Sequence, residues 1–183
     1  MSEPRKNKSK KDLLYGLATV HGGYFSAQEA VAVGLSTRDL SYHRQRGHIT
    51  PAFHGIYRLT HYPPGDLEEL IVVWLATDQE TVFSHETALQ LHELSDALPN
   101  RIHVSLPASW RRRLLPAGVE RHYLDAPLAD YSWVGDVPVT TPARTLADCN
   151  AAHVSDELVR QALNQARSRG LISEAEATKL VYR

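Results

Sequence analysis

The chain has 183 residues, a formal net charge of −1 and an apolar fraction of 43%, enough for one large domain or two small ones with real cores. Its single cysteine excludes an intrachain disulfide and fits a reducing cytoplasm. No apolar run approaches the roughly 20 residues of a membrane span, and the start MSEPRKNKSKK lacks the apolar centre of a signal peptide, so a cytoplasmic protein without a membrane partner is expected. Charge is uneven: residues 1–62 hold nine basic and four acidic side chains, the remainder eleven basic and seventeen acidic. A basic head and an acidic body suggest nucleic acid at one end and a different task at the other.

Residues 1–11 form a basic tail, too polar to fold alone and expected to be disordered, in which Lys8, Lys10 and Lys11 either track phosphates or simply solubilise the chain. Asp12 reads as the cap of a helix through Leu13, Leu14, Leu17 and Ala18, ended by Gly22 and Gly23. Tyr24 and Phe25 then lead into a second helix. Ser26 and Glu29 have capping-box spacing, Ala27, Ala30 and Val31 share one side, and Gly34 supplies the left-handed exit. Ser36 with Asp39 restarts the pattern. Leu35 and Leu40 point inward, Thr37, Arg38, Ser41, Tyr42 and Arg44 outward, and Gly47 stops the helix. Ile49 and the run Ile56 to Leu59 are strand-like, broken by Pro51 and Gly55.

Helix, turn, helix and hairpin in that order predict a winged helix-turn-helix over residues 12–62. Hydroxyls among arginines suit a duplex, since base edges and phosphates both present acceptors. Thr37, Arg38, Ser41, Tyr42 and Arg44 are expected to face the major groove, with Arg46, Arg58 and the early lysines on phosphates.

His61 to Gly65, HYPPG, reads as a linker, because paired prolines make a semi-rigid spacer. Residues 63–183 then predict a mixed α/β body, so the expected fold class is α+β. Asp66, with Glu69 in capping-box position, opens a mostly buried helix through Leu75. A short strand at 81–83 precedes a helix from Ser84 through Leu94. Strands follow at 101–106 and 119–124, and a hairpin at 131–140 turns on Gly135-Asp136. Pro142 opens one helix, Ser155 a longer one stopped by Gly170, and Ser173 with Glu176 a last one.

The chemistry-bearing residues point away from catalysis. No HExxH, CxxC, GxGxxG, GxxxxGK[ST] or GxSxG occurs, so no catalytic, cofactor or metal residue is assigned. His85 and His92 share a helix face and read as hydrogen-bonding core residues. Arg111, Arg112 and Arg113 sit in a loop of the acidic body, either solvated or meeting a partner. Arg144 and Asp148 are spaced for a helical ion pair of about 0.3 kcal/mol.

The runs GGYFSAQEAVAVGLS at 22–36, HGIYRL at 54–59, SHETALQLHEL at 84–94 and VPVTTPARTLAD at 137–148 together resemble the AbiEi antitoxins of bacterial toxin–antitoxin systems. The resemblance implies a winged-helix head that represses the operon's own double-stranded promoter. It also implies a body that neutralises a cognate nucleotidyltransferase-like toxin encoded next door. Similar arrangements occur fused to an endonuclease domain; here the helices after Ser155 come too soon for one, so no nuclease is expected. A homodimer on inverted half-sites and a monomer on two sites are both compatible with the sequence. The alternatives are a free-standing winged-helix regulator whose body senses a ligand or partner, and an enzyme that modifies the toxin.

Overall fold

A computed structural model of the chain describes residues 9–124 and 130–181. The fold is α+β and divides into two compact units, Met1–Gln79 and Glu80–Arg183.

The first unit runs α1 (Lys10–Ala18), β1 (Tyr24–Ser26), α2 (Ala27–Ala32), α3 (Thr37–Gln45), β2 (Ile49–Phe53), β3 (Ile56–Leu59) and α4 (Glu68–Ala76). Its antiparallel sheet has the order β1-β3-β2. Leu14, Ala18, Phe25, Ala30, Leu35, Leu40, Ile49 and Leu59 close one core beneath the helices. Phe25 stacks on Tyr57 across the strands, with ring centroids 5.7 Å apart.

Several expectations are corrected. Helix α1 begins in the basic tail: Ser9 is its cap, and Asp12 occupies the third helical position of a reciprocal capping box. Lys10 and Lys11 are therefore helical residues, while Lys8 lies outside the described residues. Tyr24 and Phe25 form a strand rather than a lead-in, because they pair with Arg58 and Tyr57. Pro51 does not break β2. It sits on the outer strand of the sheet, where a missing N–H costs no ladder bond, and the register shifts between Pro51 and Phe53. Helix α4 has no side-chain cap; Leu67 precedes it, and the Asp66/Glu69 box does not form. The compact unit ends at Gln79 rather than near Tyr62, because α4 is fastened to the head. Glu68 on α4 accepts bonds from Arg58 Nε and Nη2 at 3.2 and 2.8 Å, and Trp74 on α4 meets the edge of His21.

Gly23 shows how closely that fastening is built. Its φ is +94°, and a β-carbon there would lie 2.6 Å from the Tyr62 ring. Gly23→Ala is expected to cost the head about 2–3 kcal/mol through backbone strain and overpacking. A thermal melt of the full chain checks it; an unchanged head transition contradicts the account.

The second unit runs β4 (Val82–Phe83), α5 (His85–Leu91), β5 (Ile102–Pro107), a 3-10 turn (Ala108–Arg112), β6 (Val119–Leu124), β7 (Tyr131–Val134), β8 (Val137–Thr140), α6 (Pro142–Ala151), α7 (Asp156–Ser168) and α8 (Glu174–Val181). The sheet order is β6-β5-β4-β8-β7. Strand β4 pairs parallel to β8 and antiparallel to β5, β5 pairs parallel to β6, and β7 and β8 form the expected hairpin. Leu89, Leu94, Leu146, Cys149, Ala162, Ala166, Ile172 and Ala177 pack the helices together. Helix α5 stops at Leu91, short of Leu94, where His92 caps it. The loop expected after Pro107 contains the 3-10 turn.

Candidate nucleic-acid interface

Helices α2 and α3 are set by their caps. Ser26 with Glu29 and Ser36 with Asp39 form complete capping boxes, so each entry satisfies two backbone groups locally. Between the helices Gly34 takes φ +93°, and Leu35 N–H returns to Ala30 O at 2.9 Å, closing the turn over the core. Lys10 Nζ donates to Asp39 Oδ1 at 2.6 Å, tying α1 to the start of α3. That bond, followed by those from Ser36, holds the Asp39 carboxyl well below the usual range.

On α3 the inner face is Leu40 and His43, both buried, while Thr37, Arg38, Ser41, Tyr42, Arg44, Gln45 and Arg46 are exposed. The expected major-groove residues therefore sit together on one short helix. Tyr42 is half exposed, its ring edge on His43 and the Arg46 guanidinium 5.4 Å from its centroid. His43 is anchored from below: its Nδ1 lies 3.0 Å from His48 Nδ1, and one of the two must be neutral to accept the bond. Burial, then the neighbouring His48, lowers the His43 pKa.

Two expected phosphate contacts are engaged elsewhere. Arg58 is largely enclosed, donating to Glu68, to Leu59 O and to Tyr62 O, with its guanidinium 5.6 Å from the Tyr24 ring centroid. It clamps the wing to α4. Lys10 is exposed but bridges to Asp39. Lys11 is exposed on α1. Sequence reading missed Gln45. Gln45 lies four residues after Ser41 and seven after Arg38, the same helical stripe, and its amide can both donate to and accept from a base edge. His54 is exposed at the wing tip beside Gly55, whose φ of +73° turns the hairpin.

In the body, Arg111, Arg112 and Arg113 are exposed around the 3-10 turn. A separate polar group lies at the start of α5. His103 Nε2 meets Glu86 Oε2 at 3.1 Å and its Nδ1 meets His122 Nε2 at 3.1 Å. The His122 ring stacks on His85 at 3.5 Å, and His85 Nδ1 bonds Ser84 Oγ at 3.0 Å. His92 Nε2 donates to Thr140 O at 2.7 Å, and Arg144 Nε donates to Asp148 Oδ1 at 2.7 Å. Among the described residues no group of three or more His, Cys, Asp or Glu is placed to hold a metal ion.

The helix-turn-helix and wing can be compared with known proteins. Residues 17–60 match the family model described as the transcriptional regulator AbiEi antitoxin. The head resembles the AbiEi antitoxin regulators. That match spans β1, α2, α3 and the whole hairpin of β2 and β3, the elements that carry the exposed arginines and their supports. The AbiEi description is of regulators and antitoxins rather than of an enzyme class. No curated protein is significantly similar to the sequence. Among solved structures, the RV2827C protein from Mycobacterium tuberculosis shares the fold, with a TM-score of 0.50 at 16% identity over 98% of this chain and 83% of the other. Among the described residues no helix is long and apolar enough to cross a membrane.

Proposed function

We propose that this chain is an AbiEi-type antitoxin that binds its own promoter through α3 and neutralises a nucleotidyltransferase-like toxin through residues 80–183. The observation that carries the first half is the outward face of α3, where Arg38, Ser41, Tyr42, Arg44 and Gln45 stand exposed above an anchored Leu40 and His43. Arg46 and Lys11 serve the phosphates, and Lys10 supports α3 through Asp39. The second half is supported by the family description of the head and by a body with a sheet and helical core of its own. The site is in the cytoplasm, where the operon is.

The test uses the full chain. Arg38→Ala with Arg44→Ala is expected to abolish repression of a promoter reporter while growth rescue against the neighbouring gene's product is kept. Loss of both together, with the fold intact, contradicts the division of labour. Because the family match stops at residue 60, a winged-helix regulator with a partner-sensing body is the second reading. It predicts repression without growth rescue.

A further inference from the structure

His43 and His48 sit where α3 meets the wing. His43 is the last buried side chain of α3, 5% exposed, and His48 directly precedes β2 and is half-buried. The backbone brings them together. Helix α3 ends over Gly47, whose φ is +70°, and His48 N–H returns to His43 O at 2.9 Å. Thr60 N–H, just after β3, bonds His48 O at 3.1 Å. The side chains add one more tie, Nδ1 to Nδ1 at 3.0 Å, with ring centroids 5.3 Å apart. It joins the underside of α3 to the root of the hairpin.

The chemistry of imidazole limits how many protons this tie survives. With both rings neutral, one Nδ1–H donates and the other Nδ1 accepts. A single added proton leaves the same donor and acceptor and makes the bond charge-assisted. A second puts a hydrogen on each Nδ1, so two N–H groups and two positive charges face each other across the gap. The pair cannot then stay closed. Its surroundings give the second proton no compensation. From α1, Lys10 and Lys11 act on His43; on α3, Asp39 opposes them but is already held by Lys10 at 2.6 Å. Arg44 and Arg46 follow His43 on its own helix, and the sequence has no acidic residue between Asp39 and Asp66, so β2 and β3 bring no carboxylate. Arg58 on β3 is paired with Glu68, and Glu29 on α2 with His21 and Gln79. Burial, then the charge of His48, already keeps the His43 pKa below its ordinary value.

We propose that the His43–His48 pair makes promoter binding acid-sensitive: it fixes α3 against the root of the wing while it carries at most one proton, and releases it when it carries two. The proposal rests on the reading of α3 as the helix that enters the duplex. Ordinary electrostatics runs the other way, since acid adds positive charge to exposed histidines such as His54 and His61 and draws a polyanion closer. A loss of affinity on acidification is therefore the mark of the pair.

The experiment titrates the full chain against a duplex of its own promoter by fluorescence anisotropy, from about pH 7.5 to about pH 5, across the range where histidine titrates. Affinity is counted per folded molecule, and the head is melted at each pH. Wild type is compared with His48→Gln, whose amide can still bond His43 but takes no proton, and with His61→Gln, an exposed histidine of the HYPPG segment. Wild-type affinity is expected to fall about tenfold, and that of His61→Gln with it. His48→Gln should bind like wild type at the upper pH and not weaken in acid. An equal fall in His48→Gln, or a wild-type affinity that holds or rises, overturns the proposal. A wild-type chain without promoter affinity at any pH refutes the duplex reading beneath it. The head melts then decide the pair alone: a smaller acid loss of melting temperature in His48→Gln than in wild type supports it, and equal losses overturn it.

Discussion

Arg38→Ala with Arg44→Ala should weaken promoter binding by about 100-fold or more near physiological salt, since each lost base-edge or phosphate contact removes about 1–3 kcal/mol. The slope of log affinity against log salt should also flatten by about one unit for each phosphate contact removed. Both side chains stand clear of the core, so the head should melt where wild type does. Arg58→Ala makes the contrast. Arg58 is enclosed between β3 and α4 with Glu68, Leu59 O, Tyr62 O and the Tyr24 ring around it. Its removal leaves Glu68 without the guanidinium that holds it below the usual carboxylate range. The expected effect is a lower melting temperature for the head, with promoter affinity per folded molecule unchanged. Gel-shift titrations across salt concentrations, paired with melts, separate the two. Equal affinity losses for Arg58→Ala and the Arg38/Arg44 pair at matched folded fraction would refute the assignment of α3 as the reading helix.

Acidification should destabilise the body before ordinary carboxylate titration begins. His85 is 7% exposed, with His122 stacked on it and His103 beyond. Burial, then those neighbouring imidazoles and Arg144, pushes its pKa down to about 3. Burial likewise lowers His122 and His92. A histidine whose folded pKa lies below its unfolded value binds more protons when unfolded, so stability is complete above about pH 6.5 and is lost as pH falls from there. For His85 the loss runs from about pH 6.5 to about 3 and amounts to roughly 5 kcal/mol. The interval between about pH 6.5 and 4.5 is diagnostic, since model carboxylates titrate below it. The melting temperature of the body should fall across that interval, and His85→Asn should flatten the fall. Asparagine suits the test because His85 has φ +52°, a left-handed conformation asparagine tolerates, and its amide can still bond Ser84. An unchanged pH profile in that variant would remove His85 from the account.

The head was readable in sequence wherever the decisive contact is local. Ser26/Glu29, Ser36/Asp39 and the exit at Gly34 are visible within a few residues, and all three form. Asp12 was misread because a Ser–x–x–Asp box presents two plausible caps, and only the backbone shows that Ser9 is the first. The box expected from Asp66 and Glu69 gives way to a helix starting at Glu68, whose carboxylate is taken by Arg58 ten residues earlier. That pairing makes Arg58 structural, and no local pattern announces it. In the body all five strands and the hairpin were legible from alternation and turn residues. The imidazole stack was not. Its members come from α5, β5 and β6; strand register sets His103 near His122, with Ser105 opposite His122 and His103 two residues earlier on the same face, and α5 adds His85. The exposure of Thr37, Arg38, Ser41, Tyr42 and Arg44 on α3 follows from helical spacing, and Gln45 shares it.

Strand β2 has a consequence for how two copies of this protein can meet. Its outer rail lacks a donor at Pro51 and shifts register just beyond it. A second wing therefore finds no continuous ladder to extend along β2. Any association of two copies is left to helices and side chains rather than to shared wing strands.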